Sequence, residues 1–265
     1  MSRQKVLADR EQYVAKSNDL IRKSRYSLTA QQQKIILYII SKIKPDDDIS
    51  THYILNIKEL AEACGIKLTG TGYYYSDLKQ DIKSLTKRDW AILDDGTQLT
   101  MSWLGDAKMV KGDTQIEVWF NENMKDYLFD LKKRYTLYRL EKVLVFKGKY
   151  AIRLYEILRS NISKKDLDEG MFEDKDVTIT IKEFRDLFDL KDKYTRWVDI
   201  DRYIVKPAIA EINEKSDEFN VARFPMRGDH TRAIEKINFV VKRAKCGQQL
   251  IARTKKRQIL DDLPM

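Results

Sequence analysis

The amino-acid sequence predicts an α+β fold, and three observations predict it. One order of elements occurs twice along the chain, apolar spacing switches between helical and strand periods, and Asp-Gly and Gly-Asp pairs punctuate the strand-like stretches. The 265 residues suffice for one large domain or two modest ones, and a 43% hydrophobic content supports a packed core.

The first copy begins with YILNIKELAEACGI at residues 53–66, the second with DVTITIKEFRDLFDL at residues 176–190. Each opens on a strand-like run, passes through an Ile-Lys-Glu step (Ile57-Lys58-Glu59, Ile181-Lys182-Glu183) and becomes a short amphipathic helix. After a turn, a second helical segment follows, from Tyr73 in one copy and Tyr194 in the other. Each then gives way to β-type sequence, WAILDDGTQLTMSWLGDAKMVKGDTQIEVWFN and FNVARFPMRGDHTRAIEKINFVVKRA, the latter with Gly228-Asp229 at its tip. Strand, helix, turn, helix and hairpin is the order of a winged helix. Two tandem winged-helix (helix-turn-helix plus β-hairpin wing) domains are therefore expected.

Between the copies, KGKYAIRLYEILRS reads as a helix after Gly148, with Ile152, Tyr155, Ile157 and Leu158 along one side, expected to complete the first domain's core. The Ile-rich run from Ile35 to Ile43 has a zipper-like look, although apolar residues on nearly all sides more often mean a buried core helix. The polar stretch SKKDLDEGMFEDKD reads as an exposed linker. It separates an N-terminal domain, residues 1–165, from a C-terminal domain with a basic tail, residues 166–265. Phe184, Phe188, Trp197, Tyr203 and Phe239 are the expected aromatic core of the second.

Charge narrows the function. The net charge is +9 with a pI near 9.2. Residues 1–26 hold seven Lys/Arg against three Asp/Glu, residues 221–265 hold eleven against four, and the stretch between holds 32 against 34. A surplus gathered at the ends suggests a polyanionic partner, because each neutralised phosphate releases a counterion; a surface that merely aids solubility is the alternative. Two cysteines and two well-separated histidines support neither a disulfide framework nor a metal cluster. Tyrosine is plentiful, but the closely spaced histidines that a rolling-circle nuclease or relaxase needs are missing, as is a GxxxxGK[ST] phosphate loop. A non-enzymatic protein without metal or cofactor is expected. The charged start MSRQKVLADREQ and a longest apolar run of six residues, Ile35 to Ile40, predict a cytoplasmic chain with no membrane span.

The second helix of the second copy carries the sharpest candidate site. At 100° per residue, Trp197, Ile200, Ile204, Ala208 and Ile212 gather on one side, and Arg196, Asp199, Arg202, Tyr203 and Lys206 gather opposite. A DNA-reading helix needs that division, since one side packs on its domain while the other enters the major groove, where Arg can address guanine bidentately. Lys193, Tyr194 and Thr195 precede it, suited to phosphates near the helix start. Pro207 should kink or interrupt the helix. The hairpin adds Arg223, Arg227, His230 and Arg232 as a basic wing. An ordinary solvated surface helix is the bland alternative. In the first copy, Leu78, Ile82 and Leu85 form the buried stripe beside a row of Lys79, Lys83 and Lys87, with Tyr73, Tyr74 and Tyr75 at the start. Asp77 and Asp81 temper its charge, so it should contribute less affinity.

These residues resemble the Rep_3 family of iteron-binding plasmid replication initiators over roughly residues 12–245. SNDLIRKSRYSLTAQQQKIILYIISKI is similar to the family's first two helices. Lys149-Tyr150-Ala151-Ile152-Arg153-Leu154-Tyr155-Glu156 resembles its central stretch, and Lys206-Pro207-Ala208 with Glu211-Ile212-Asn213 its second DNA-reading helix. Gly148 departs from the Ser expected there; both residues can start a helix. The resemblance implies binding of double-stranded direct repeats at an origin through both domains, melting of adjacent A·T-rich DNA, and recruitment of a host initiator and the replicative helicase. It also implies a homodimer, joined through the first domain, that represses the chain's own promoter. A winged-helix repressor without an initiation role is the rival reading.

Overall fold

The repeated Ile-Lys-Glu step is a helix start built on a local cap. Ahead of the helix Ile57–Ala63, the Asn56 side chain accepts the Lys58 and Glu59 amides at 2.9 and 3.3 Å. Ahead of Ile181–Leu187, Thr180 accepts the Glu183 amide at 3.1 Å while Glu183 reaches back to the Thr180 amide at 2.9 Å, a reciprocal capping box.

The computed structural model describes residues 12–66, 73–87, 90–94, 97–109, 114–163, 174–229 and 231–244. The first half runs β1 (Tyr13–Ser17), α1 (Asn18–Lys23), β2 (Ser24–Arg25), α2 (Ala30–Ile40), β3 (Tyr53–Asn56), α3 (Ile57–Ala63), α4 (Tyr73–Ser84), β4 (Trp90–Asp94), β5 (Thr97–Met101), β6 (Leu104–Met109), β7 (Gln115–Phe120), α5 (Lys125–Leu128), β8 (Tyr135–Arg139), α6 (Glu141–Leu144) and α7 (Lys149–Arg159). The second runs β9 (Lys175–Thr180), α8 (Ile181–Leu187), α9 (Trp197–Ile200), a π turn (Asp201–Val205), α10 (Lys206–Lys215), β10 (Phe219–Arg227) and β11 (Ile234–Arg243).

The two halves share one sheet plan. β3 pairs antiparallel with β7 (Tyr53 opposite Val118), as β9 pairs with β11 (Ile179 opposite Ile237). The sheets are ordered β3-β7-β6 and β10-β11-β9, so each opening strand lies beside the second strand of its hairpin. The first half adds two pieces. Its β-type stretch divides into two hairpins, and the extra one, β4–β5, pairs with β2, while β1 pairs with β8.

α2 is a core helix, since Ile35 through Ile40 are all buried. Phe184, Phe188 and Phe239 are buried in the second half and Trp197 is half-buried. Tyr203 corrects the expected aromatic core, because it is 51% exposed on the outer side of its helix.

α7 is buried further than its sequence suggests. Its apolar residues suggest one buried side, yet every residue from Ala151 to Arg159 is buried. The cause is its place between the halves, with α2 on one flank and α10 on another. Tyr155 stacks on Phe219 at 5.3 Å between centroids, a pairing worth about 0.5–1.5 kcal/mol beyond its area. Each buried charged side chain has a partner, as burial requires, although the Nε atoms of Arg153 and Arg159 make no hydrogen bond. Glu156 pairs with Lys16 at 2.5 Å and accepts the Tyr138 hydroxyl. Arg153 donates to Tyr26 Oη at 2.9 Å and the Ser24 carbonyl at 2.8 Å, and Arg159 donates to the Ile162 and Leu137 carbonyls. Burial pushes the Lys16 pKa down, an effect Glu156 only partly offsets. The helix completes the first half's core through Lys16, Ser24, Tyr26 and Tyr138, as expected, and packs against the second half as well. Residues 164–173 of the expected linker, and the basic tail from residue 245, lie outside the described residues.

Candidate nucleic-acid interface

In the second half the candidate helix extends from Trp197 to Lys215, but it is not regular. Residues 201–205 form a π turn in which the Lys206 amide reaches back five residues to the Asp201 carbonyl. Pro207 has no amide to give the Tyr203 carbonyl, and the π turn just before it is the expected interruption of the regular helix. The wider turn also changes the phase of the helix. Buried positions fall in pairs four apart, Ile200/Asp201, Ile204/Val205 and Ala208/Ile209, then Ile212. Val198, Arg202, Tyr203 and Lys206 face solvent.

The side chains on that face are arranged by neighbours that sequence reading did not assign. Arg196 is 77% exposed, and its Nε and Nη2 donate to the two oxygens of Asp199 at 2.9 and 3.2 Å. Three guanidinium N–H groups stay free of this contact, enough for a bidentate base or phosphate contact. Asp199 thus orients Arg196. The Arg202 guanidinium lies 5.4 Å from the centre of the Tyr203 ring, which is 5.8 Å from the Tyr194 ring. The turn leading in holds Asp189, Lys191 and Tyr194 at φ of 47°, 47° and 55°, a left-handed backbone unusual outside glycine. Arg185 of α8 supports it, donating to the Tyr194 carbonyl at 2.6 Å and to the Lys191 carbonyl. Lys193 and Thr195 are exposed on this turn.

The wing is tied to the helix. Arg223 of β10 gives Nε and Nη2 to the carboxylate of Asp201, with the Nη2 contact at 2.8 Å, and Lys206 adds a contact at 3.4 Å. Burial pushes the Asp201 pKa up, but Arg223 and Lys206 outweigh it, leaving the carboxyl below its ordinary range. Arg223 is thereby corrected from a wing-tip cation to an internal anchor, because strand alternation points it at the helix rather than at solvent. Arg227 and Arg232 are exposed on either side of the tip; His230 lies outside the described residues.

In the first half Leu78, Ile82 and Leu85 are buried as expected. Lys83 and Lys87 are exposed and Lys79 is half-buried. The side chains of Tyr73, Tyr74 and Tyr75 lie outside the described residues. Asp81 faces α2 rather than solvent, accepting from Gln31 at 2.8 Å and Gln32 at 3.1 Å, which removes much of its counter-charge from the surface. Among the described residues, no carboxylate pairs with Lys79, Lys83, Lys87, Lys193, Arg202, Arg227 or Arg232. Both halves thus present unpaired cations on helix and wing positions. Among the described residues no group of His, Cys, Asp or Glu is arranged to hold a metal, and no helix is long and apolar enough to cross a membrane.

Residues 13–159 match the family model described as "Initiator Replication protein, WH1", and residues 180–241 match "Initiator Rep protein, WH2". The chain belongs to this initiator replication protein family. Its two halves are the family's two winged-helix domains. A replication initiation protein of Escherichia coli is 27% identical over 214 residues, which are 78% of this chain and 64% of that relative. The chain therefore spans slightly under two thirds of the relative's length. The crystal structure of Pi initiator protein in complex with iteron DNA has the same fold, with a TM-score of 0.67 at 16% identity over 89% of this chain and 99% of that one.

Proposed function

We propose that the chain is a plasmid replication initiator that binds direct repeats in its origin as double-stranded DNA. One observation carries the reading: Arg196, oriented by Asp199, stands on the exposed face of a helix whose wing is locked beside it by Asp201–Arg223. That is a preorganised major-groove reader with a phosphate-contacting flank. The solved relative in complex with iteron DNA supports the choice of partner. In this reading the second domain makes most base contacts. The first, through Lys79, Lys83 and Lys87, holds backbone. Binding promotes origin opening and recruitment of the host initiator and replicative helicase. A homodimer represses the chain's own promoter, and the protein works in the cytoplasm without catalytic chemistry of its own.

The test is footprinting of the purified protein on DNA flanking its gene, paired with replication of a cloned origin with and without the chain supplied. Regularly spaced protected repeats and chain-dependent replication are expected. A single protected inverted repeat at the promoter, with replication independent of the chain, would replace this reading with a plain repressor.

A further inference from the structure

α7 begins without a cap of its own. Gly148 at its N-cap has no side chain, and Ala151 stands where a capping box needs Glu or Gln. The missing acceptor comes from the other domain. The carboxylate of Glu211, on α10, accepts the Lys147 amide at 2.6 Å and the Gly148 amide at 2.9 Å, while Lys215 holds the same carboxylate at 2.6 Å. A Cβ at residue 148 would stand 2.8 Å from Glu211 Oε2, so any larger residue makes the carboxylate shift from this position.

The contact continues toward the first domain's helix. Gln33 of α2 donates to the Lys149 carbonyl at 3.1 Å, one residue beyond the Glu211 cap. Its neighbours Gln31 and Gln32 donate to Asp81 of α4 at 2.8 and 3.1 Å, and Gln32 also donates to Ser84 at 2.9 Å. Polar side chains thus run from the second domain's DNA-facing helix, across the start of α7, to the first domain's DNA-facing helix. Helices joined this way cannot shift relative to each other without breaking several half-buried hydrogen bonds.

Resting on the DNA-binding reading above, we propose that Glu211, acting through the start of α7 and the Gln31–Gln33 run, is a positioning residue that sets the spacing between the two DNA-facing helices and so the spacing of half-sites the chain accepts. One base pair moves a half-site by about 3.4 Å and turns it by about 35°, so a rigid pair of readers discriminates single insertions and deletions. A loosened pair follows the displaced half-site at the cost of affinity at the native spacing.

The experiment uses the full chain on the duplex found by footprinting, with one base pair inserted or deleted between the two protected halves. The wild-type chain is expected to lose about a hundredfold in affinity on either change, the contribution of one tethered module. Glu211→Ala and Gln33→Ala should bind the native spacing more weakly and lose much less on the altered ones. Gly148→Ala, which displaces the carboxylate without removing it, should give the same flattened profile and keeps the test open if Glu211→Ala fails to fold. Glu211→Gln retains one acceptor and should fall between. Variants that are weaker at every spacing by the same factor would reduce Glu211 to a stabilising contact and overturn the proposal. A wild-type chain that binds all spacings equally overturns it while leaving DNA binding intact, and one that binds none of the duplexes overturns both.

Discussion

Asp201 and Arg223 join the second domain's candidate reading helix to its wing through two parallel hydrogen bonds, with side chains only 13% and 25% exposed. The pair converts two separate elements, a helix and a hairpin, into one rigid unit, because an Arg fork on a carboxylate fixes angle as well as distance.

Breaking that pair should be costly and sensitive to acid. Arg223→Ala leaves the Asp201 carboxylate short of its main partner and should lower stability by about 2–3 kcal/mol, less than for a fully buried pair because Lys206 stays close. The folded pKa of Asp201 is depressed, so its contribution is present above the ordinary carboxylate range and is lost as pH falls through the folded value. Glu211 behaves alike: burial raises its pKa, but Lys215 and the Lys147 and Gly148 amides outweigh that and depress it. Denaturant titrations from pH 7 down to about pH 3 should show the wild type losing stability below about pH 4, and Arg223→Ala losing less over that interval. Parallel curves would show that the pair contributes nothing measurable.

Helix and wing cations should separate by kind of loss. Arg196→Ala and Arg202→Ala are expected to weaken specific binding by about 1–3 kcal/mol and relax preference at one base pair, whereas Arg227→Ala and Arg232→Ala should weaken all sequences alike. Asp199→Asn gives the sharper check. It removes a negative charge from the proposed DNA-binding side, which by charge alone would strengthen binding everywhere. Because Asp199 orients Arg196, specific binding should instead fall relative to non-specific binding. Uniform strengthening in a competition assay would sink the orienting role.

Salt should act steeply. With about six to ten phosphates neutralised by the unpaired cations of both domains and the basic ends, affinity should drop by about 10³–10⁵ between 50 and 200 mM salt. A flat response in a fluorescence titration would contradict the electrostatic part of the reading.

The position of α7 makes a prediction about fragments. A fragment starting at residue 166 leaves Phe219 without Tyr155, Glu218 without the Tyr155 hydroxyl and Arg159, and Glu211 without its two amides. One starting at residue 145 restores all of these. The longer fragment should unfold at a clearly higher urea concentration. Coincident midpoints would mean that the second domain's core closes at its own boundary.

Sequence reading reached what local chemistry decides. The strand–helix–helix–hairpin order was legible twice because Asn56 and Thr180 cap within three residues of themselves and because apolar periods of two and 3.6 are written in consecutive positions. Leu78, Ile82 and Leu85, and the exposed Arg196, Arg202 and Lys206, follow from the same periodicity. The stretch Lys149–Glu156 and the pair Glu211 and Asn213 carried the family resemblance, but their reasons lie elsewhere in the chain. Arg153 is held by Ser24 and Tyr26, Glu156 by Lys16 and Tyr138, and Asn213 pins Val221 of the wing strand at 2.9 and 2.6 Å.

The remaining features required the folded chain. Arg223 reads as one more wing cation until the strand's direction places it against Asp201, 22 residues away. Pro207 reads as a kink or interruption, and only the folded chain shows its form, a π turn over residues 201–205 with the helix resuming at Lys206. Gly148 reads as a permissive helix start, and only the folded chain brings Glu211, 63 residues later, to accept its amide. Periodicity and capping are set by neighbours along the chain, within a turn or two. The partners of a buried charge are chosen by whichever elements the core brings together, and no local pattern encodes that choice.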